Sequence, residues 1–319
     1  MNRITNRHFL QSSQWAKFQK QLDHTVFARA GDGWEFLAIL EHGDGRVGRV
    51  FNRLYLPYGP TYYNEQGLES ALIELDKLAK QKKVDYVRIE PYMAYEGHEP
   101  SYDSYGYKKH SRTSQPDLTL LIDLNRPWEQ VRQDISKTNK YAYNKATKNG
   151  LEFRISYSPD EVEPFAEMMR ETASRTKSIF HAEKYYCKLL KTLGPEKFIG
   201  IAYAVYDNNP VVGILFVDDL ESGVRYYMHA GSFDKARELR INANASLVMF
   251  LLENAHKNNI KIFDFFGVAP KDAPSTHRWA GFSRFKRSFG GQDFQYSGTW
   301  EKPTNRFKYS LLTAMRKLR

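Results

Sequence analysis

The sequence predicts an α/β protein that contains two copies of one folding unit. Two stretches of the chain each combine strand-like segments with an apolar helix and a further strand. The ends of these stretches are similar: LAKQKKVDYVRIEP (Leu78–Pro91) and NAHKNNIKIFDFFGV (Asn254–Val268) both pass from a helix end rich in Lys or Asn into an alternating strand. Chance similarity of two αβ units is the alternative interpretation.

In the first stretch, RVFNRLYLPYGP (Arg49–Pro60) is typical of a strand, and DYVRIEP (Asp85–Pro91) predicts the next one. Between them, helical spacing places four apolar residues on one face: Leu68, Leu72, Leu75 and Ala79. This face is expected to pack on the sheet.

The second stretch begins with three strand-like runs and continues with an apolar helix. The runs are FIGIAYAVYD (Phe198–Asp207), PVVGILFVDD (Pro210–Asp218) and VRYYMHAGS (Val224–Ser232). The helix is centred on Ala245, Val248, Met249 and Leu252. IKIFDFFGV (Ile260–Val268) then predicts the strand that ends this unit.

The segment between the two stretches combines a strand with a basic helix. LTLLIDL within Gln115–Gln130 is typical of a buried strand, and a helix is expected over Glu129–Gly150. At about 100° per residue, four lysines of this helix share an arc of roughly 140°. They are Lys137, Lys140, Lys145 and Lys148. They form either a solvated face or a surface for a nucleic-acid backbone.

Composition limits the classes of function. The net charge of +10 favours acidic partners such as phosphates, nucleic acid or an anionic membrane surface. A single cysteine, Cys187, and nine histidines without paired spacing allow neither a disulfide framework nor a zinc site, so no metal is expected. The single cysteine makes a reducing, cytoplasmic setting the default expectation. The chain shows no signal peptide and no apolar run of about 18 residues, so a soluble or at most peripheral protein is expected.

The end of the chain, Trp300–Arg319, predicts a short amphipathic helix. Lys308, Arg316, Lys317 and Arg319 surround its apolar residues. Such a helix packs on its own domain, or its basic rim contacts an anionic bilayer at the inner face of the membrane.

The usual catalytic signatures of hydrolases, zinc proteases, P-loop enzymes and dinucleotide-binding enzymes are missing from the sequence. An enzyme of this composition is expected to work by positioning and charge stabilisation. WAGFSRFKRSFGG (Trp279–Gly291) is the most unusual segment, because it alternates aromatics with cations. It is either an edge strand with a solvated polar face or a segment in which aromatic packing holds one cation, Lys286, at the floor of a cleft.

Several motifs occur in an order that resembles the Fem family of peptidoglycan-bridge aminoacyltransferases. They are WAK near the N-terminus, NKATKNG, Arg175 after a helix, YxxAGS (Tyr227–Ser232), IxxFDFxGV (Ile260–Val268) and FxxFKxxFGG (Phe282–Gly291). The resemblance covers nearly the whole chain, and the last two motifs are the most specific.

This resemblance implies two tandem GNAT-like domains, each a mixed twisted sheet flanked by helices. The first would contain residues 1–124 plus 298–319, and the second residues 125–297. It implies transfer of glycine, alanine or serine from aminoacyl-tRNA to the stem-peptide amino group of a peptidoglycan precursor, either UDP-MurNAc-pentapeptide or lipid II. No cofactor is implied, a monomer is expected, and the chain resembles the short members without a helical arm.

The resemblance also assigns roles to single residues. Lys286 would stabilise charge at the transfer centre, with Tyr227 as a second catalytic candidate. Lys17 and Arg175 would hold the precursor's diphosphate.

Two further residues are assigned to substrate binding: Trp15, in the same motif as Lys17, and Glu90, where an aspartate is expected. His229 replaces the usual phenol of its motif, so any role of that side chain is in doubt.

The lysine face of Lys137, Lys140, Lys145 and Lys148 then becomes a candidate contact for tRNA. A GNAT-type acyl-CoA-dependent N-acyltransferase is the main alternative, but GSFDKARELRINANAS (Gly231–Ser246) contains one glycine where a pyrophosphate-binding turn needs several. A non-catalytic RNA or membrane-surface binder is supported by charge alone.

Overall fold

A computed structural model describes residues 7–42, 49–92, 100–238 and 242–317 of the chain. The chain divides into two compact units. The N-terminal unit contains the chain up to Asp117 together with the segment from Gln295 onward, and the C-terminal unit contains Leu118–Phe294. Both boundaries lie a few residues before those expected at 124/125 and 297/298.

The N-terminal unit is built on a seven-stranded sheet, and its described residues form three α-helices. Its strands are β1 (Thr25–Gly31), β2 (Trp34–His42), β3 (Asn52–Leu56), β4 (Thr61–Tyr62), β5 (Tyr86–Ile89), β6 (Lys108–His110) and β14 (Thr299–Pro303). Its helices are α1 (Ser13–Gln21), α2 (Glu65–Gln81) and α10 (Arg306–Lys317). The main strand order is β1-β2-β3-β5-β14-β6, and β4 pairs with β2.

Helix α2 forms the crossover between β3 and β5, which pair in parallel from Arg53/Tyr86 to Leu56/Ile89. Asn64 caps its first turn, because its side-chain oxygen accepts a hydrogen bond from the Gly67 N–H at 2.7 Å. The predicted apolar face is confirmed, since all four of its residues are buried: Leu68, Leu72, Leu75 and Ala79.

The C-terminal unit contains a second seven-stranded sheet. Its strands are β7 (Leu118–Asp123), β8 (Glu152–Ser156), β9 (Ile199–Tyr206), β10 (Asn209–Asp219), β11 (Val224–Ser232), β12 (Ile262–Gly267) and β13 (Gln292–Gln295), in the order β13-β7-β12-β11-β10-β9-β8. Its helices are α3 (Trp128–Asp134), α4 (Lys137–Lys148), α5 (Val162–Thr176), α6 (Glu183–Leu193), α7 (Lys235–Glu238), α8 (Ala243–Lys257) and α9 (Ala280–Arg287).

The two sheets repeat one arrangement. In each, three antiparallel strands (β1-β2-β3 and β9-β10-β11) are followed by a crossover helix, α2 or α8, and by a strand parallel to the last of them. The next strand, β14 or β7, pairs antiparallel with that parallel strand. The predicted α/β fold with two similar units is therefore present in the structure.

Strand β7 was expected in the first domain but lies in the second sheet. It pairs antiparallel with β12, from Asp123/Ile262 to Leu121/Asp264 and again at Thr119/Gly267. In the N-terminal sheet the corresponding position is occupied by β14 from the end of the chain, which pairs with β5. A buried apolar strand fits either sheet by its sequence, so the pairing partner decides its domain.

The basic helix expected over Glu129–Gly150 is two helices, α3 and α4. Ile135 has extended backbone angles (φ −78°, ψ 138°) and is buried, which ends α3. Ser136 then begins α4, because its Oγ accepts a hydrogen bond from the Asn139 N–H at 3.3 Å. After the break, Asn139 in the first turn of α4 is buried and its neighbour Thr138 is exposed.

The C-terminal helix α10 packs on the N-terminal unit through the buried carboxylate of Glu301. Glu301 accepts hydrogen bonds from Arg88 at 2.6 Å, Tyr309 at 2.7 Å and Arg316 at 2.9 Å. Burial alone would raise the pKa of Glu301, but Arg88 and Arg316 lower it to about 2. The expected amphipathic helix is thus held by buried charges, and Leu318 and Arg319 lie outside the described residues.

Candidate active site

Strands β11 and β12 separate in the middle of the C-terminal sheet. They pair in parallel from Val224/Ile262 to Tyr226/Asp264, yet β11 continues to Ser232 and β12 to Gly267. The pairing of β12 with β7 is irregular between Asp264 and Gly267, where Phe266 has a left-handed backbone (φ 60°). This irregularity turns the end of β12 and leaves a gap beside β11.

Helix α9 places Lys286 in this gap. Its side chain is only 8% exposed, and its Nζ donates a hydrogen bond to the Gly267 carbonyl at 2.8 Å. The ammonium lies 5.6 Å from the ring centroid of Tyr227 and 4.9 Å from that of Phe282. Aromatic packing therefore holds the cation, in agreement with the second of the two interpretations of this segment.

The strand expected over Trp279–Gly291 does not form, so this prediction is wrong. The segment forms a helix over Ala280–Arg287, because Phe282, Phe285 and Phe289 are spaced i, i+3 and i+7. Phe289 is fully buried, whereas Phe282 is 39% exposed and is not an anchor of the core. Lys286 points inward because it follows the helical period, not a strand alternation.

Two glycines follow the end of this helix, at positions where side chains would clash. Gly290 and Gly291 have positive φ angles of 84° and 87°. A β-carbon at Gly291 would lie 2.5 Å from the Leu121 carbonyl oxygen, and one at Gly290 would lie 2.8 Å from the Cβ of Asp134. The FGG motif thus lets the chain pass closely along β7 into β13.

Two further side chains fasten α9 to the segment that follows β12. The Ala269 N–H donates to the Oγ of Ser283 at 2.8 Å, and the Arg287 guanidinium donates to the Ala269 carbonyl at 2.6 Å. Arg287 also forms an ion pair with Asp293 at 2.7 Å. Lys286 is therefore positioned by its own hydrogen bond and by neighbours on the same helix.

Burial lowers the pKa of Lys286 to about 7, and the carboxylate of Asp264 acts in the opposite direction. Asp264 is fully buried and accepts hydrogen bonds from the Thr119 hydroxyl and from the Phe266 N–H. It therefore both holds the left-handed turn at Phe266 and favours the charged form of Lys286. Asp264 lies in the DFxGV motif of the sequence, but its role depends on contacts that only the fold creates.

Tyr227 and His229 lie on β11 next to the gap. Tyr227 is 9% exposed, and burial raises the pKa of its hydroxyl, so it stays protonated. Burial, His181 and Lys286 lower the pKa of His229 to about 4, so its imidazole is neutral at pH 7. Ring contacts link His229 with Phe180, His181 and Tyr186, at centroid distances of 6.0–6.2 Å.

Arg175 lies in the last turn of α5, where the sequence placed it. Its guanidinium forms an ion pair with Asp234 at 2.5 Å and donates to Thr172 at 3.1 Å and Ser232 at 3.4 Å. The side chain is 25% exposed, and Asp234 is 68% exposed. The structure thus places Arg175 at the end of β11, beside Ser232.

The remaining substrate-binding candidates lie in the N-terminal unit. Lys17 is exposed on α1, while Trp15 is buried against Phe9 and Phe18. Glu90 follows β5 and is 4% exposed.

The Glu90 carboxylate accepts hydrogen bonds from the Tyr55 hydroxyl at 2.5 Å, the Ser114 N–H at 2.8 Å and the Thr299 hydroxyl at 2.7 Å. Both of its oxygens are thus engaged by protein donors that come from different segments of the unit.

The four lysines of the basic helix are not equivalent. Lys137, Lys145 and Lys148 are exposed on α4. Lys140 is half-buried and donates to the Arg132 carbonyl at 3.1 Å, at the end of α3. Three of the four therefore present their charge to solvent.

Comparison with known proteins decides the family. The FemAB family model matches residues 1–106, 101–209 and 204–317. The chain belongs to the FemAB family. It is 23% identical over 230 residues to the aminoacyltransferase FemB of Staphylococcus epidermidis, a match that covers 61% of this chain and 55% of that protein. The match therefore spans little more than half of that relative's length.

Solved structures support the fold of this FemAB member. The crystal structure of FemX superposes with a TM-score of 0.81 at 14% identity and covers 95% of this chain and 94% of its own. A tandem GNAT protein from the clavulanic acid pathway superposes with a TM-score of 0.53 at 13% identity, covering 88% and 83%. The expected tandem GNAT-like fold is confirmed.

Neither a membrane span nor a metal cluster occurs in the described part of the chain. No helix among residues 7–42, 49–92, 100–238 and 242–317 is long and apolar enough to cross a bilayer. Within the same ranges, no group of three His, Cys, Asp or Glu side chains is arranged to hold a metal ion.

Proposed function

We propose that this FemAB member transfers an amino acid from aminoacyl-tRNA to the stem-peptide amino group of a peptidoglycan precursor. Glycine, alanine or serine is the proposed acyl group, and UDP-MurNAc-pentapeptide or lipid II is the proposed acceptor. The observation that carries the proposal is the buried cation of Lys286, held where β11 and β12 separate. The family match supports the reaction class.

Transfer of an aminoacyl group from an ester to an amine is aided by a cation and needs no covalent enzyme intermediate. The neutral amine of the acceptor attacks the ester carbonyl carbon, and the carbonyl electrons move to its oxygen. Collapse of this intermediate re-forms the carbonyl, makes the amide and expels the ribose oxygen, which takes up the proton lost by the amine. Negative charge develops first on the carbonyl oxygen and then on the ribose oxygen, and a nearby ammonium stabilises both.

Lys286 fits this task because little of its charge is screened by water. The Gly267 carbonyl and the Tyr227 ring fix the position of its Nζ, so little reorganisation is needed when charge develops. We assign Tyr227 to the support of Lys286, since its ring lies beside the cation and its hydroxyl stays protonated. The neutral imidazole of His229 adds no competing positive charge.

Binding of the two substrates is assigned to other cations. We propose that Lys17 and Arg175 hold the diphosphate of the precursor, with Trp15 supporting the helix that carries Lys17. Arg175 would exchange its exposed partner Asp234 for a phosphate oxygen. Lys137, Lys140, Lys145 and Lys148 are assigned to the tRNA backbone. Glu90 is assigned to the precursor site through the Ser114 segment that its carboxylate holds.

An acyl-CoA-dependent N-acyltransferase is less consistent with the start of α8. In that reaction class, backbone N–H groups at the start of the crossover helix bind a pyrophosphate. Here the Asn242 side chain already accepts a hydrogen bond from the Ala245 N–H at 3.2 Å. This cap and the single glycine of Gly231–Ser246 argue against CoA.

The test measures the mass added to the acceptor. The protein is incubated with UDP-muropeptide or lipid II and either a panel of charged tRNAs or acetyl-CoA. We expect an acceptor product that is heavier by one aminoacyl residue when charged tRNA is the donor, and no product when acetyl-CoA is the donor. A product made only from acetyl-CoA, or none with any donor, contradicts the proposal.

Lys286→Met should lower kcat by about 10²–10³-fold, the usual cost of one lost oxyanion donor. The matched control is Lys191→Met, which removes an exposed lysine from α6. Near-normal turnover of a folded Lys286→Met protein would exclude the assigned role.

We also propose that the outer face of α10 contacts an anionic membrane surface. Phe307 is 81% exposed and Leu311, one turn later, is 49% exposed, beside the exposed cations Arg306 and Lys317. Exposed apolar side chains flanked by cations are typical of interfacial helices. Such a contact would bring the protein close to a lipid-linked acceptor.

A further inference from the structure

An open cavity of about 500 Å³ lies along helix α9, on a face to which Lys286 does not contribute. Its helical lining follows the spacing i, i+3, i+4 through Ala280, Ser283, Arg284, Arg287 and Ser288. Lys271, from the segment after β12, completes the basic part of the wall. The lining contains three cations and no carboxylate, so the cavity favours an anion.

The charges of this cavity are unequally neutralised. Arg287 is already paired with Asp293 and bound to the Ala269 carbonyl, so it is mainly structural. Arg284 and Lys271 are exposed, and within the described part of the chain neither forms an ion pair. These two side chains are therefore the ones available to an incoming anion.

The cavity adjoins the start of the basic helix α4. Ser288 lines the cavity, and its carbonyl accepts hydrogen bonds from the Ser136 N–H at 2.9 Å and from Asn139 Nδ2 at 3.3 Å. Lys137 follows directly and is exposed. From there α4 extends for 12 residues, about 18 Å, with further exposed lysines along it.

The arrangement joins one cavity and one helix into a single basic surface. A compact anion such as a free diphosphate would need the cavity alone, whereas the adjoining lysines extend the positive charge over several phosphate spacings. Lys286 lies on the same helix, directly before Arg287 of the cavity lining, so the cavity and the candidate active site adjoin neighbouring faces of α9. A polyanion bound along this surface would therefore pass close to the candidate active site.

We propose that Lys271 and Arg284 form a phosphate-binding subsite for the backbone of an RNA whose next phosphates lie along α4. The inference rests on the proposed function, since it makes this RNA the aminoacyl donor, and it adds a subsite that the sequence did not assign. It identifies Arg284 and Lys271 as residues that affect donor affinity without taking part in the chemical step.

The experiment measures RNA binding separately from transfer. The probe is a fluorescent, uncharged RNA with the sequence of a tRNA acceptor arm and its CCA end, titrated with the full chain at several salt concentrations. The variants are Lys271→Glu, Arg284→Glu and the double variant, and Lys191→Glu on the exposed face of α6 is the matched control. A thermal melt of each variant checks its fold, which should be retained because both side chains are exposed.

We expect the double variant to bind the RNA at least tenfold more weakly. The plot of log affinity against log salt should become shallower by about 1 for each phosphate that the protein no longer neutralises. In the transfer assay, KM for the charged tRNA should rise while kcat and KM for the precursor stay constant. Unchanged affinity and slope would overturn the inference. A rise in KM for the precursor alone would also overturn it, because the cavity would then hold the precursor's diphosphate.

Failure of the proposed function has a different result. If the wild-type chain binds the RNA through these residues but transfers no amino acid, the subsite stands and the reaction is wrong. If transfer proceeds normally in the double variant, the reaction stands and the subsite is wrong.

Discussion

Replacing Lys286 by methionine should make the protein more stable near neutral pH, although it removes the proposed catalytic group. Burial lowers the pKa of Lys286 from its ordinary value of 10.5 to about 7, so the folded protein carries this charge at a cost. Methionine fills a similar volume without a charge to desolvate. A residue that weakens the fold is typical of a functional site.

The size of the effect follows from proton binding. Between pH 7 and about 10.5 the unfolded chain holds a proton on Lys286 that the folded protein has largely lost, so the wild type gains stability as pH rises. Each pH unit in this range contributes about 1.4 kcal/mol. From pH 7 to pH 9, the advantage of the variant should therefore shrink by about 2 kcal/mol. Below pH 7 the difference should level off, since both states then hold the proton.

Lost interactions in Lys286→Met reduce its gain in unfolding free energy, but they do not change how that gain varies with pH. The Gly267 carbonyl loses a donor, which costs about 1 kcal/mol, and the interactions of the cation with the Tyr227 and Phe282 rings disappear. These costs shift the difference between the two proteins at low pH, whereas its change between pH 7 and pH 9 depends only on the pKa of Lys286 in the folded and unfolded chain. The slope against pH is therefore a sharper measurement than the difference at one pH.

The assay is equilibrium unfolding in urea at pH 6, 7, 8 and 9 for the wild type, Lys286→Met and the control Lys191→Met. The control should differ from the wild type by a constant small amount, because Lys191 is exposed. A difference between wild type and Lys286→Met that stays constant from pH 7 to pH 9 would refute the reasoning, since Lys286 would then titrate as in the unfolded chain.

Three further outcomes are expected. The kcat/KM of the wild type should decline as pH rises through about 7, because the ammonium of Lys286 is lost. The residual activity of Lys286→Met should show no such decline. If the wild type instead showed an increase in kcat/KM with pH that is missing in the variant, Lys286 would be a general base. Charge reversal of Lys137 and Lys148 should weaken tRNA binding and make the slope of log affinity against log salt shallower. If this slope does not change, the lysines form a solvated face that does not contact tRNA. The double variant Phe307→Glu with Leu311→Glu should no longer sediment with phosphatidylglycerol vesicles. If the wild type and the double variant sediment equally, α10 is not the membrane contact.

Local periodicity predicted the regular elements well. The apolar face of α2 and the strands β9 to β12 were expected at their observed places, because burial on one side leaves a repeating pattern in the sequence. The segment Trp279–Gly291 carries two patterns that conflict. Phe282, Phe285 and Phe289 have helical spacing, whereas the alternation of aromatics with cations predicts a strand, and the segment forms a helix.

The break at Ile135 and the sheet that contains β7 were not predictable to the same degree. Ile135 continues the apolar stripe of a helix, yet its backbone is extended and its side chain is buried. Ser136 was a local signal for the start of a second helix. For β7, a buried apolar strand fits either sheet, and only its hydrogen bonds with β12 decide between them.

By itself the sequence determined the α/β class, the repeated unit and the FemAB resemblance, because each depends on local periodicity or on the order of short motifs. The sequence pointed to Lys286, but only the tertiary structure decided that this cation is buried without an ion pair to any described residue, unlike Arg88 and Arg225, which pair with Glu301 and Asp218. Burial of Lys286 depends on the separation of β11 from β12 and on the turn at Phe266 held by Asp264. These contacts join residues far apart in the chain, and a cation's pKa depends on the groups that surround it in space.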